Sequence, residues 1–157
     1  MDENWVNRER MIYFAGAIRG GREDAVLYQE LIRFLGGFGQ VLTEHVGALS
    51  LTEKGDDGPD DRSIHDRDMA WLDKAEAVVA EVTVPSLGVG YEIGWAAAIG
   101  KPVFALYRPR PGRYLSAMIA GSKGVITAFY SDMEEAKVLI RRFFENLSDK
   151  KAMEKGT

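Results

Sequence analysis

Two carboxylates in this chain sit where a carboxylate has little structural reason to be. Glu92 is the only charge between Val89 and Ala98, in a run otherwise made of glycine, alanine and large apolar residues. A glutamate in the first turns of a helix complements the helix dipole, which is worth about 0.3–1 kcal/mol. Only one face of so apolar a helix can be wet, so Glu92 is expected to line a pocket. Asp68 lies four residues from both Ile64 and Leu72, on the stripe of its helix that faces the core. A buried aspartate needs a partner or a task, whereas Asp66 and Asp73 read as a solvated face. A glutamate and an aspartate on one cavity are the minimum for glycosyl chemistry: one attacks or stabilises the anomeric carbon, the other manages a proton or a sugar hydroxyl.

Groups suited to an anion lie nearby. Glu92 lies in the segment Pro85-Ser86-Leu87-Gly88-Val89-Gly90-Tyr91-Glu92-Ile93-Gly94, where a hydroxyl and the free N–H groups of a helix start suit a phosphate. Its Gly-x-Gly-x-x-x-Gly spacing is one residue too long for the dinucleotide fingerprint and follows the third strand rather than the first, which excludes that cofactor site. A second glycine-rich turn, Gly16-Ala17-Ile18-Arg19-Gly20-Gly21-Arg22, follows the first strand. It lets backbone approach an anion, with Arg19 as a charged donor, or it is merely a tight strand-to-helix turn with solvated arginines. No Gly-Lys-Ser/Thr follows, so it is not a Walker loop. His45 closes the second strand at the same rim; a lone histidine is more often structural than functional.

The elements that must position these residues alternate in type. Strands are expected at 11–15, 40–45, 77–82, 102–107 and 125–129, and helices at 23–35, 63–74, 90–99, 114–119 and 133–147, with a polar loop at 47–62. The third strand is almost wholly apolar, as a strand covered on both faces should be. Alternating strands and helices imply an α/β fold with a doubly wound parallel sheet, here flavodoxin-like with five strands in the order 2-1-3-4-5. Ligands in such sheets bind beyond the carboxyl ends of the strands, at the switch point between strands 1 and 3.

At 157 residues the chain fits one domain, 1–157, with about 1–8 and 148–157 expected as mobile tails. It has no cysteine and two histidines, His45 and His65, which excludes a disulfide framework and argues against a multi-histidine metal site. A formal charge of −4 argues against nonspecific binding to nucleic acid or anionic membranes. The acidic start lacks the apolar core of a signal peptide, and no apolar run reaches membrane-spanning length, so the expected location is the cytoplasm.

Taken together, five segments resemble the 2′-deoxynucleoside 5′-phosphate N-hydrolases of the nucleoside 2-deoxyribosyltransferase superfamily. They are residues 13–24, Val41-Leu42-Thr43-Glu44-His45, Ile64-His65-Asp66-Arg67-Asp68-Met69-Ala70-Trp71-Leu72, residues 79–94, and Leu115-Ser116-Ala117-Met118-Ile119. The resemblance implies hydrolysis of the N-glycosidic bond of a ribo- or deoxyribonucleoside 5′-monophosphate through a glycosyl ester on Glu92. It implies that Asp68 binds sugar hydroxyls and manages protons, and that Tyr13 orients the nucleophile. Gly16, Ile18, Arg19, Gly20, His45, Ser86 and Gly88 would contact substrate, and Ser116 would reach the 5′-phosphate from the other subunit of a homodimer. No metal or organic cofactor is expected. Relatives often have serine where Ala17 stands, which removes one hydroxyl near the ligand. Two alternatives stand beside this reading: a deoxyribosyltransferase, which passes the sugar to another base, and a non-catalytic nucleotide-binding module.

Overall fold

A computed structural model of the protein describes residues 9–19, 21–48, 50–53, 55 and 58–156. Five parallel strands form one sheet in the order β2-β1-β3-β4-β5: β1 (Met11–Ala15), β2 (Gln40–Val41), β3 (Ala77–Glu81), β4 (Val103–Tyr107) and β5 (Ile126–Phe129). This is the fold and strand order expected from the sequence. Helices connect them: α1 (Ala25–Leu35), α2 (Asp61–Lys74), α3 (Leu87–Ala98), α4 (Ala117–Ala120) and α5 (Met133–Lys155). A 3-10 turn at Glu44–Gly47 follows β2.

The local causes are visible in the residues. Tyr28, Leu31, Ile32 and Leu35 repeat at helical spacing and are the buried face of α1. They pack on one side of the sheet with Phe14, Val79, Leu106 and the α5 residues Ile140, Phe143 and Phe144. The other side holds Tyr13, Ala15, Val78 and Ala80 against Leu72 of α2 and Val89, Ile93 and Ala96 of α3. Every residue of β3 is buried, as its two covered faces require. Burying each valine side chain contributes about 1.5–3 kcal/mol.

Four elements differ from expectation, the first being α3, which begins at Leu87, three residues before its expected start. β2 ends at Val41, and Thr43 takes over its pairing: the Thr43 hydroxyl accepts from Phe14 N–H at 2.8 Å and donates to Phe14 C=O at 2.7 Å. α4 begins only at Ala117, with Ser116 as its N-cap. The last helix continues past Leu147 to Lys155, because Arg10 reaches the Ser148 hydroxyl at 3.1 Å and Lys151 pairs with Glu76. Residues 1–8, expected as a tail, lie outside the described residues. Among the described residues, no helix is long and apolar enough to cross a membrane.

The chain leaves β1 toward β2 and then crosses back to β3, so the carboxyl ends of β1 and β3 part at the switch point.

Candidate active site

A cleft of about 1100 Å³ opens at that switch point. The turn after β1 contributes Gly16, Ile18 and Arg19, and the 3-10 turn after β2 contributes His45. From α2 come Arg67 and Asp68, from the start of α3 Ser86, Gly88 and Glu92, and from α4 Ser116. Nearly all residues selected from the sequence thus meet in one place. Tyr13 lies beneath them, fully buried, with its hydroxyl donating to the Glu92 carboxylate. Gly20 lies outside the described residues.

Glu92, Asp68 and Tyr13 form the acidic centre. Burial pushes the Glu92 carboxyl up to about 8; the charge of Asp68 adds to the rise, and the Tyr13 hydrogen bond opposes it. Burial also pushes the Tyr13 phenol well above its ordinary value, and the Glu92 and Asp68 charges push it the same way. Tyr13 therefore stays a hydrogen-bond donor across the range in which proteins are folded. Two carboxylates and a phenol share one partly dry volume, in which burial moves the ionisation of Glu92 up to about 8.

The anion-type features sit at the rim. Ser86 caps α3, its hydroxyl accepting from Val89 N–H at 3.3 Å. The first N–H groups of a helix have no partner within it and point at whatever lies before its start. Arg19 is 59% exposed and bonds Asp61 at 2.8 Å, which holds its guanidinium at the cleft. The other arginine of that turn, Arg22, is not solvated as a bare turn would leave it. Its guanidinium donates to the carbonyls of Ala17, Ala48 and Leu51 at 3.0–3.2 Å and so pins the turn to the loop beyond the 3-10 turn. Gly16 marks a close approach, since a Cβ there would meet the Tyr28 ring at 3.0 Å.

The loop from β4 to Ser116 is tied down from the far side. Arg108 and Arg110 both donate to one oxygen of Asp24, at 2.9 and 3.1 Å. Glu81, at the end of β3, is fully buried and accepts from the Thr83 N–H and hydroxyl. The Thr83 hydroxyl in turn accepts from Arg108 N–H at 2.8 Å. Burial raises the Glu81 carboxyl above its ordinary range, with the Thr83 bonds opposing.

Sequence reasoning passed over Arg67, His65 and Tyr91. His65 bonds Asp66 at 3.0 Å and the Tyr91 hydroxyl at 3.1 Å on the wall of the cleft. Arg67 contacts both Asp68 and His45. A charged residue beside another on an exposed-looking helix carries no signal in the sequence, because neighbours in sequence do not ordinarily face each other on a helix. Only the tertiary contact reveals it.

The fold and the cleft define a class: a doubly wound α/β protein with a pair of carboxylates at its switch point and a rim formed by a helix start and Arg19. The chain belongs to the nucleoside 2-deoxyribosyltransferase family, whose model matches residues 12–118. It is similar to the 5-hydroxymethyl-dUMP N-hydrolase of Danio rerio, with 48% identity over 139 residues, 87% of this chain and 97% of that protein. It is equally similar to the 5-hydroxymethyl-dUMP N-hydrolase of Homo sapiens, with 48% identity over 149 residues, 91% of this chain and 86% of that one. Among solved structures, a CMP N-glycosidase from Clostridium botulinum shares the fold, with a TM-score of 0.61 and 20% identity over 85% of this chain and 99% of that chain.

Proposed function

We propose that the protein is a single N-glycosidase domain that hydrolyses the N-glycosidic bond of a ribo- or deoxyribonucleoside 5′-monophosphate through a glycosyl ester on Glu92. The observation that carries this reading is the meeting of Glu92, Tyr13 and Asp68 in a cleft whose rim holds a helix start and Arg19. Relatives at 48% identity over most of both chains are nucleotide N-hydrolases by name, which supports the reaction class.

The strand order gives the cleft a direction. Ser86 and Ser116 follow β3 and β4, while His45 follows β2 at the opposite edge. Three strand spacings of about 4.8 Å separate β2 from β4. A 5′-phosphate at the α3 start would leave the sugar over Glu92 and Asp68, with the base toward His45.

In the first step the ionised Glu92 carboxylate attacks the anomeric carbon. The C–N bond breaks, its electron pair leaves with the base, and the base gains a proton. Water then hydrolyses the ester, releasing 5-phosphosugar and restoring Glu92. Tyr13 holds the attacking carboxylate by its hydroxyl. Asp68 takes the part of sugar and proton handling.

The reading includes a homodimer in which Ser116 serves the other subunit's phosphate. Leu87 and Tyr114 are 96% and 91% exposed at the cleft mouth, and Met118 is 83% exposed. On α3, Tyr91 and Trp95 are also exposed, and a Cβ on Gly90 or Gly94 would meet nothing within 4 Å. Glycine inside a helix costs about 1 kcal/mol against alanine. Nothing among the described residues requires that cost at Gly90 or Gly94, and a closely packed second α3 would. In the single chain Ser116 also lines its own cleft.

The test is incubation with all common ribo- and deoxyribonucleoside 5′-monophosphates, each with and without a second free base, followed by chromatography. Release of free base and 5-phosphosugar is expected from at least one. Transfer to the second base would favour the deoxyribosyltransferase reading. A folded protein that leaves the whole panel intact would overturn the enzyme reading in favour of a nucleotide-binding module.

A further inference from the structure

Arg67 and Asp68 are neighbours on α2, where successive side chains diverge by about 100° and do not face each other. An arginine on such a surface extends its head to water. Arg67 instead folds back along the helix. Its Nε and Nη2 both lie 2.9 Å from a single oxygen of Asp68, Oδ1. Its guanidinium lies 4.7 Å from the centre of the Trp71 ring, one turn further along. Nη2 also approaches His45 Nε2 at 3.4 Å. A guanidinium only donates, so that histidine nitrogen presents its lone pair.

The consequence for Asp68 is geometric. Two donors on one oxygen, from a planar fork whose own place is set by Trp71 and His45, fix the rotation of the carboxylate. The groups that share this corner are Tyr13 from β1, Glu92 from α3 and His45 from the 3-10 turn, besides Arg67 itself. Tyr13 and Glu92 both carry an electrostatic influence of Asp68, and Tyr13 also one of Arg67. A carboxylate free to turn in that corner would meet the sugar in several orientations, of which few are productive.

We propose that Arg67 is a positioning residue: it clamps one oxygen of Asp68, so that the carboxylate meets the sugar in one orientation and is tied to the histidine at the base end of the cleft. This rests on the N-glycosidase reading. The clamp needs the fork and not only the charge, so lysine, which offers a compact ammonium, should not replace it.

A double-mutant cycle tests this with four folded proteins: wild type, Arg67→Lys, Asp68→Asn and the double variant, each checked by thermal unfolding. Arg67→Lys should lower kcat about tenfold while KM changes less than about threefold, since orientation at the reacting carbon is lost and phosphate contacts are kept. In the Asp68→Asn background the same change should cost less than about twofold, because the residue through which Arg67 acts is already gone. Equal losses in both backgrounds, or a loss confined to KM, would overturn the proposal. If wild type releases no base, the N-glycosidase reading fails on its own. The cycle is then read from calorimetric affinity for 2′-deoxyuridine 5′-monophosphate, where additive changes overturn the clamp and non-additive ones uphold it.

Discussion

At the scale of single residues, Glu92 carries two separable expectations. Glu92→Gln keeps the shape of the side chain and removes its power to form an ester. Turnover should fall by several orders of magnitude, while calorimetric nucleotide affinity changes little. Retention of more than about a tenth of wild-type activity, under 1.4 kcal/mol of barrier, would place the nucleophile elsewhere. The second expectation concerns pH. In the proposed mechanism the attacking form is the carboxylate, and burial holds the group protonated up to about 8. The acid limb of kcat/KM should therefore rise toward about pH 8. Stability runs the opposite way. A folded-state value raised from 4.5 to about 8 gives a contribution that is full below pH 4.5 and is lost as pH rises through about 8. The amide that replaces the carboxyl in Glu92→Gln does not titrate. The melting temperature of this variant should match wild type near pH 4.5, exceed it by a widening margin above that, and level off past about pH 8. A constant margin across this range would mean that Glu92 is not buried as described.

Among elements, the join between β1 and β2 is the most exposed to a single substitution. β2 pairs for only two residues, and the Thr43 hydroxyl then satisfies both the N–H and the C=O of Phe14, all buried. Thr43→Val preserves volume and leaves two buried backbone groups without partners, each costing about 1–3 kcal/mol. The melting temperature should fall by about 4 °C or more by scanning calorimetry, and Thr43→Ser should recover most of it. A valine variant as stable as wild type would show that the backbone finds other partners.

That join also marks where the sequence was readable and where it was not. The short apolar run of Met11 to Ala15, stopped by Gly16, and the nearly unbroken apolar run of β3 set strand positions to within a residue. Helical spacing of apolar residues, with Gly36-Gly37 as the stop of α1, placed α1 and α2 nearly as well. The same pattern overran at β2, because Thr43 and His45 look like strand residues while their backbone has already turned. Glu92 was legible because it stood alone among apolar neighbours, and Asp68 because Ile64 and Leu72, four residues away on either side, put it on the core-facing stripe. Arg67 was hidden by a charged neighbour, and the Asp24, Arg108 and Arg110 tie joins residues 84 to 86 positions apart. Contacts of that kind leave no local pattern in composition or spacing.

For the whole molecule, the exposed face of α3 that carries Leu87, Gly90, Tyr91 and Gly94 is the feature with the widest effect. Gly94→Leu separates its two readings. In an isolated chain the new side chain enters open space and replaces a poor helix former, so the monomer should gain up to about 1 kcal/mol. Against a second α3 it would collide, and sedimentation should show dissociation together with loss of nucleotide turnover. A dimer that survives Gly94→Leu would place the contact on another face. If a neighbour's Ser116 finishes the phosphate pocket, as proposed, the catalyst is a product of its own mass action. Diluted below its dissociation constant, such a protein loses specific activity, and its output per molecule rises with the amount the cell makes. Expression level would then act on reaction rate twice, once through the number of chains and once through the share of them that have met.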